Sequence, residues 1–137
     1  NRIFNYLFEG GSSNLILVDD DNPIEAGVDI EAQLPGKKKQ LLSAMSGGER
    51  SLTTVALLFA LLETRPAPFC LLDEVDAALD DANIKRFLSY LKNLNNIQFA
   101  IVTHRKTTMA AADYIYGVTM EETGVSKVIS LKFNGGK

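Results

Sequence analysis

The stretch at residues 69–81, FCLLDEVDAALDD, constrains the fold more than any other. Four apolar residues, Phe69, Cys70, Leu71 and Leu72, follow Pro66 and Pro68 and run straight into Asp73 and Glu74. A short unbroken apolar run of this kind predicts a strand buried on both faces, as in a parallel sheet. The two acids then stand where the strand leaves the core. In open α/β sheets that carboxyl edge is where ligands bind. Adjacent carboxylates there can divide the work: one holds a hydrated magnesium ion, the other orients and deprotonates a water. A lone acid pair in a loop reads more readily as solvated surface, and it is the rest of the chain that overturns that preference.

The chain has 137 residues, 46% of them hydrophobic, which is enough for one core. The net charge of −3 gives no global basic field for nucleic acid and leaves only local patches. A single cysteine, Cys70, excludes an internal disulfide framework and suits packing in a reducing cytosol. The apolar run at 55–62 is too short to span a bilayer, and no signal peptide is visible. Asn1 is not a native start, so the sequence is read as a piece of a longer chain.

Residues 1–9 place Ile3, Phe4, Leu7 and Phe8 on one helical face, as in the end of a longer helix, and Gly10-Gly11-Ser12-Ser13 breaks it. A strand is expected at 15–18, then a solvated acidic turn at 19–23, which lacks calcium-loop spacing. Strict alternation at 28–34 predicts a half-exposed strand antiparallel to it, with Val28, Ile30, Ala32 and Leu34 inward. Lys37, Lys38 and Lys39 follow, either a solvated run or a phosphate contact.

Ser46-Gly47-Gly48-Glu49 is a capping-box pattern with Ser46 as N-cap, and the following helix is apolar nearly all round in its second half, which predicts a buried helix. Two glycines just inside a helix cost about 1 kcal/mol each relative to alanine. Keeping them suggests exposed backbone N–H groups at a positive helix end, a phosphate-binding device. Asp80 or Asp81 caps a helix at 82–94 with Ile84, Phe87, Leu88 and Leu91 inward. A second buried strand at 99–102 ends in Thr103-His104-Arg105-Lys106, placing the only histidine at the same sheet edge as Asp73 and Glu74. A short helix near 106–112, strands at 114–120 and 125–133 joined as a hairpin, and a frayed tail at 134–137 complete the reading.

The order SGGE opening a helix, hhhhDE closing a strand, ALDD, then hhTH closing the next strand resembles the C-terminal part of an ATP-binding-cassette (ABC) nucleotidase. Residues 46–49 resemble the signature motif, with Met45 where leucine is usual. Residues 69–74 resemble the Walker B strand, Ala78-Leu79-Asp80 the D-loop and His104 the switch histidine. The runs PAPFCLLDEVDAALDDAN, THRKTTM, YGVTMEETGVSKVISL and EAGVDIEAQLPGKKKQ are similar to the C-terminal head segment of SMC (structural maintenance of chromosomes) proteins, and THRK to prokaryotic members. The resemblance runs from about residue 3 to 133.

That resemblance implies an α/β fold: the C-terminal lobe of an ABC-type ATPase head, with parallel core strands, helices and added antiparallel strands. Residues 1–137 would form half a head, with 1–9 next to a coiled coil. The phosphate-cradling pattern G-x-x-x-x-G-K-[ST] is absent despite ten glycines, so an N-terminal segment would supply it. The implied cofactors are ATP and Mg²⁺. Asp73 would hold the metal through water, Glu74 would act as general base and His104 would reach the γ-phosphate region. Ser46, Gly47, Gly48 and Glu49 would face the ATP of a second head, with Asp80 at the same dimer interface. Implied partners are the N-terminal head segment, a second SMC head, a kleisin subunit (with the hairpin as a candidate surface) and DNA, with no membrane. The implied setting is cytoplasmic and nucleoid-associated, in chromosome condensation and segregation, and the isolated chain would be inactive. Another split ABC-type DNA-repair ATPase is disfavoured by residues 116–131, and a non-catalytic docking lobe by the intact Asp73, Glu74 and His104.

Overall fold

The computed structural model describes residues 1–19, 21–22 and 24–132. The acidic turn at 19–23 falls partly outside them, as do Phe133 and the tail at 134–137. In chain order the elements are α1 (Arg2–Phe8), β1 (Ser12–Leu17), β2 (Val28–Gln33), β3 (Gln40–Leu41), a 3-10 turn (Leu42–Ala44), α2 (Gly47–Thr64), β4 (Phe69–Asp73), α3 (Asp81–Asn93), β5 (Gln98–Val102), α4 (Lys106–Ala110), β6 (Tyr114–Glu122) and β7 (Val125–Lys132). They form an antiparallel sheet β1-β2-β3, a parallel pair β4-β5 and an antiparallel hairpin β6-β7. The mixed α/β class and the antiparallel pairing of the first two strands match the sequence expectation. β3 and the 3-10 turn do not, because two-residue pairing leaves no periodic signal.

The break after α1 is steric. Glu9 ends the helix in the left-handed region, with φ 54°. Gly11 follows at φ +79°, where an added Cβ would lie 2.2 Å from the Gln33 carbonyl oxygen. Only glycine fits so close to a neighbouring strand. The chain turns here into β1, and α1 packs on α2 and α3 with Ile3, Phe4 and Leu7 buried in the core.

The core lies between α2 and its neighbours. Leu52, Val55, Ala56, Phe59 and Leu62 repeat at helical spacing and are buried. Leu61 is exposed, which corrects the expectation of all-round burial: α2 has one buried face, and its far side meets solvent. Phe59 stacks on Phe87 and Tyr90 of α3, with ring centroids 5.8 and 4.9 Å away. The Tyr90 hydroxyl donates to Glu63 Oε1 at 2.5 Å, and Arg2 pairs with the same carboxylate. Burial, and then the bond to Glu63, push the Tyr90 phenol above its ordinary range. Three helices are thus pinned at one point. Aromatic stacking of this kind adds about 0.5–1.5 kcal/mol beyond area burial.

β4 departs from expectation in a telling way. Only Leu72 is buried, while Phe69 and Leu71 are each 69% exposed. The run is uniformly apolar, yet among the described residues the helices cover one face only. Cys70 lies on the covered side, half-buried, and desolvation raises its thiol pKa, which makes it a packing residue. The hairpin β6-β7 is exposed along nearly all its length, with Tyr116, Val118 and Met120 on one strand and Val128, Ile129 and Leu131 on the other.

Candidate functional site

β4 and β5 run side by side in register, Asp73 opposite Val102, so both strands end at one edge. The ladder continues one residue further, because the Glu74 N–H donates to the Val102 carbonyl at 2.9 Å. Glu74 then turns sharply and holds φ 47°, in the left-handed region. A non-glycine residue there is strained by about 1–3 kcal/mol, and such strain clusters at working sites. The turn brings Glu74 Oε1 to 3.7 Å from His104 Nδ1. The sequence placed these two residues, a strand-helix-strand unit apart, at one sheet edge, and the structure brings their side chains to this distance.

Both side chains are open to solvent, Glu74 at 60% and His104 at 65% exposure. The site is therefore an edge on which something large can sit, rather than a closed pocket. Asp73, the last residue of β4, is also exposed. Among the described residues, no group of three or more His, Cys, Asp or Glu side chains is placed to hold a metal. A single exposed carboxylate fits magnesium, which keeps several waters and takes its other ligands from phosphates. It does not fit a metal caged by protein alone.

At the other motif, α2 starts as its sequence says. The Ser46 N–H donates to Glu49 Oε2 at 3.1 Å, closing the capping box. Glu49 Oε1 accepts from Lys37 Nζ at 2.6 Å. The Lys37 hydrogen bond, and then those with Ser46, hold the Glu49 carboxyl below its usual value. Both Glu49 oxygens are thus spent on shaping the helix start. Lys37 is spent with them, and Lys39 pairs with Glu31, which leaves Lys38 as the only one of the three lysines outside these pairs. Around Gly47 the space is open, with nothing within 4 Å of a would-be Cβ. Gly48 has a different reason: a Cβ there would lie 3.0 Å from the Ala78 carbonyl oxygen. The helix start and the 76–80 loop therefore touch through bare backbone.

Asp80 caps α3: its Oδ1 accepts from the Asn83 N–H at 2.8 Å, and its Oδ2 from Asn83 Nδ2 at 3.2 Å. Sequence reading allowed either Asp80 or Asp81 this role, and the structure gives it to Asp80.

One group escaped the sequence. Asp76 is fully buried, at 0% exposure. Its Oδ2 accepts from Thr103 Oγ1 at 2.6 Å and from Thr108 Oγ1. Thr103 Oγ1 also accepts the Arg105 N–H at 3.0 Å, and Arg105 Nη2 donates to the Ala77 and Leu79 carbonyls at 2.9 and 3.0 Å. Nothing local separates Asp76 from the neighbouring surface acids, since its partners come 27 and 32 residues later.

Residues 4–127 match the family model of the RecF/RecN/SMC N terminal domain. The chain is 56% identical to the chromosome partition protein Smc of Desulfitobacterium hafniense over 97% of its own length, and 55% identical to that of Bacillus subtilis over 100%. It spans only 11% and 12% of those relatives. A chain from the structural biochemistry of ATP-driven dimerisation and DNA-stimulated activation of SMC ATPases superposes at TM-score 0.83 and 48% identity, over 96% of this chain and 80% of that one. The Smc head bound to the C-winged helix domain of ScpA superposes at TM-score 0.86 and 47% identity, over 97% and 41%. The chain therefore belongs to the RecF/RecN/SMC family and, within it, carries the fold of SMC head domains.

Proposed function

We propose that this chain is the C-terminal half of an SMC head and hydrolyses ATP once an N-terminal segment joins it. The observation that carries the reading is the meeting of Glu74 and His104 at the β4-β5 edge, 3.7 Å apart, in a chain without the phosphate-cradling loop. The matched family model is described as an N terminal domain. The C-terminal placement rests instead on the motif order and on that missing loop.

In this reading the N-terminal segment wraps the β- and γ-phosphates and covers the open face of β4. Magnesium, when bound, would supply positive charge to offset that of the phosphates. Asp73 would hold it through water. Glu74, exposed at the sheet edge beside His104, accepts the proton of the attacking water. His104 orients toward the γ-phosphate side. Ser46, Gly47 and Gly48 present the positive end of α2 to the nucleotide of a second head, with Glu49 shaping that end rather than touching it. Asp80 lies in the loop that Gly48 touches, which suits coupling between two sites. ATP then joins two heads and hydrolysis separates them. A kleisin subunit and DNA would be further partners, in chromosome condensation and segregation in the nucleoid. Among the described residues, no helix is long and apolar enough to cross a membrane.

The test combines this chain with its N-terminal counterpart and measures ATP turnover. The assembled head is expected to turn over ATP, and Glu74→Gln to lower kcat by at least about 100-fold with ATP affinity retained. Turnover that survives Glu74→Gln would remove Glu74 from the role of base.

A further inference from the structure

We propose that Asp76 is a positioning residue that fixes the spacing between Glu74 and His104. The proposal rests on the ATPase reading above and deepens it. Asp76 stands two residues after Glu74. Its Oδ2 is bonded to Thr103, the residue before His104, and to Thr108 in α4, just beyond it. One buried oxygen thus cross-links the two loops that carry the proposed base and the proposed phosphate sensor. Arg105, next to His104, extends the link by holding the Ala77 and Leu79 carbonyls. The loop that Gly48 touches is therefore tied to the same unit.

The choice of residue argues for more than packing. Burying a carboxylate is costly, and Asp76 Oδ1 accepts no hydrogen bond among the described residues. An apolar pair would fill the same space with no unpaired atom. What the carboxylate adds is direction: two hydroxyl donors converging on one acceptor define a position to a fraction of an ångström. Glu74 and His104 are both solvent-exposed, and beyond the β-ladder two backbone bonds hold Glu74 among the described residues: its N–H donates to the Val102 carbonyl, and its carbonyl accepts from the Ala77 N–H. A misplacement of about 1 Å at a reacting centre can cost about 100-fold in rate.

The experiment compares Asp76→Ala, Asp76→Asn and Thr108→Val in the assembled head. The readouts are kcat, ATP affinity and fraction folded. Asn keeps one oxygen for both threonines and sets its amide where the partnerless oxygen stood. The expected pattern is a kcat loss of about 10- to 100-fold in Asp76→Ala with ATP affinity within about twofold, and recovery to within about threefold in Asp76→Asn. Thr108→Val should lower kcat alone but add little in the Asp76→Ala background, since both break one link. If Asp76→Ala does not fold, Thr108→Val, which keeps side-chain shape, carries the test. Wild-type kcat in a folded Asp76→Ala or Thr108→Val head overturns the proposal. So does an Asp76→Asn head as slow as Asp76→Ala, which would assign the effect to charge. A loss that only follows the unfolded fraction overturns it as well. Glu74→Gln run alongside separates the two readings: no wild-type turnover, or turnover without Glu74, defeats the ATPase reading itself.

Discussion

At Glu74 the backbone and the proposed chemistry pull in opposite directions. A φ of 47° costs a non-glycine residue about 1–3 kcal/mol, and glycine there would be relieved of it at an entropic cost of about 0.5–1 kcal/mol. A residue chosen for stability would be glycine. Glu74→Gly is therefore expected to leave the head as stable as wild type, or up to about 2.5 kcal/mol more stable, while losing turnover. Glu74→Gln keeps the strained turn, so its stability should match wild type while its turnover falls equally. Denaturant unfolding of the assembled heads checks this. A Glu74→Gly head clearly less stable than wild type would show that the left-handed turn carries no strain.

At the level of elements, the start of α2 shows how a sequence signal and its physical cause can differ. The SGGE pattern marked a helix start, and a helix starts there. The pattern could not say that Gly48 is small because a carbonyl of a loop 30 residues on lies against it. The strand-end acids and the histidine were legible because each sits at the end of its own apolar run. Asp76 was not, because its identity as a clasp depends on hydroxyls contributed by β5's exit and α4. Glu49 offers a titration test of the same helix start. Its folded pKa is lowered, so its contribution is fully present above its unfolded value near 4.5 and is lost as pH falls through the folded value. Glu49→Gln preserves an acceptor for the Ser46 N–H but loses the attraction of Lys37. It is expected to destabilise the head by about 0.5–1 kcal/mol at pH 7, since the pair is partly exposed. The gap should narrow below about pH 4.5 and close once wild-type Glu49 is protonated. A gap independent of pH between 3 and 7 would mean that the charge is idle.

Across the whole molecule, the packed helices and the bare sheets tell one story. The helical side is pinned by Phe59, Phe87 and Tyr90 and by the Arg2–Glu63–Tyr90 contact. On the opposite side Phe69, Leu71 and Val102 of the parallel pair stand in solvent. Sequence could not reveal this, because an apolar strand reads the same whether its cover lies in one chain or in two. Contiguous exposed apolar surface on a folded unit marks an interaction site. If a second segment covers it, Leu71 belongs to the core of the assembled head but to the surface of this chain. Leu71→Lys should then change the stability of the isolated chain by no more than about 0.5 kcal/mol, as surface substitutions do. In the assembled state the same lysine would have to be buried without a partner, which costs several kcal/mol. Assembly with the N-terminal segment should therefore weaken by at least about 100-fold, and turnover should fall in step with it. Binding measured by titration calorimetry, alongside unfolding of the isolated variant, tests both halves of the expectation. Wild-type affinity in Leu71→Lys would mean that the N-terminal segment joins elsewhere and that the open face of β4 serves another contact.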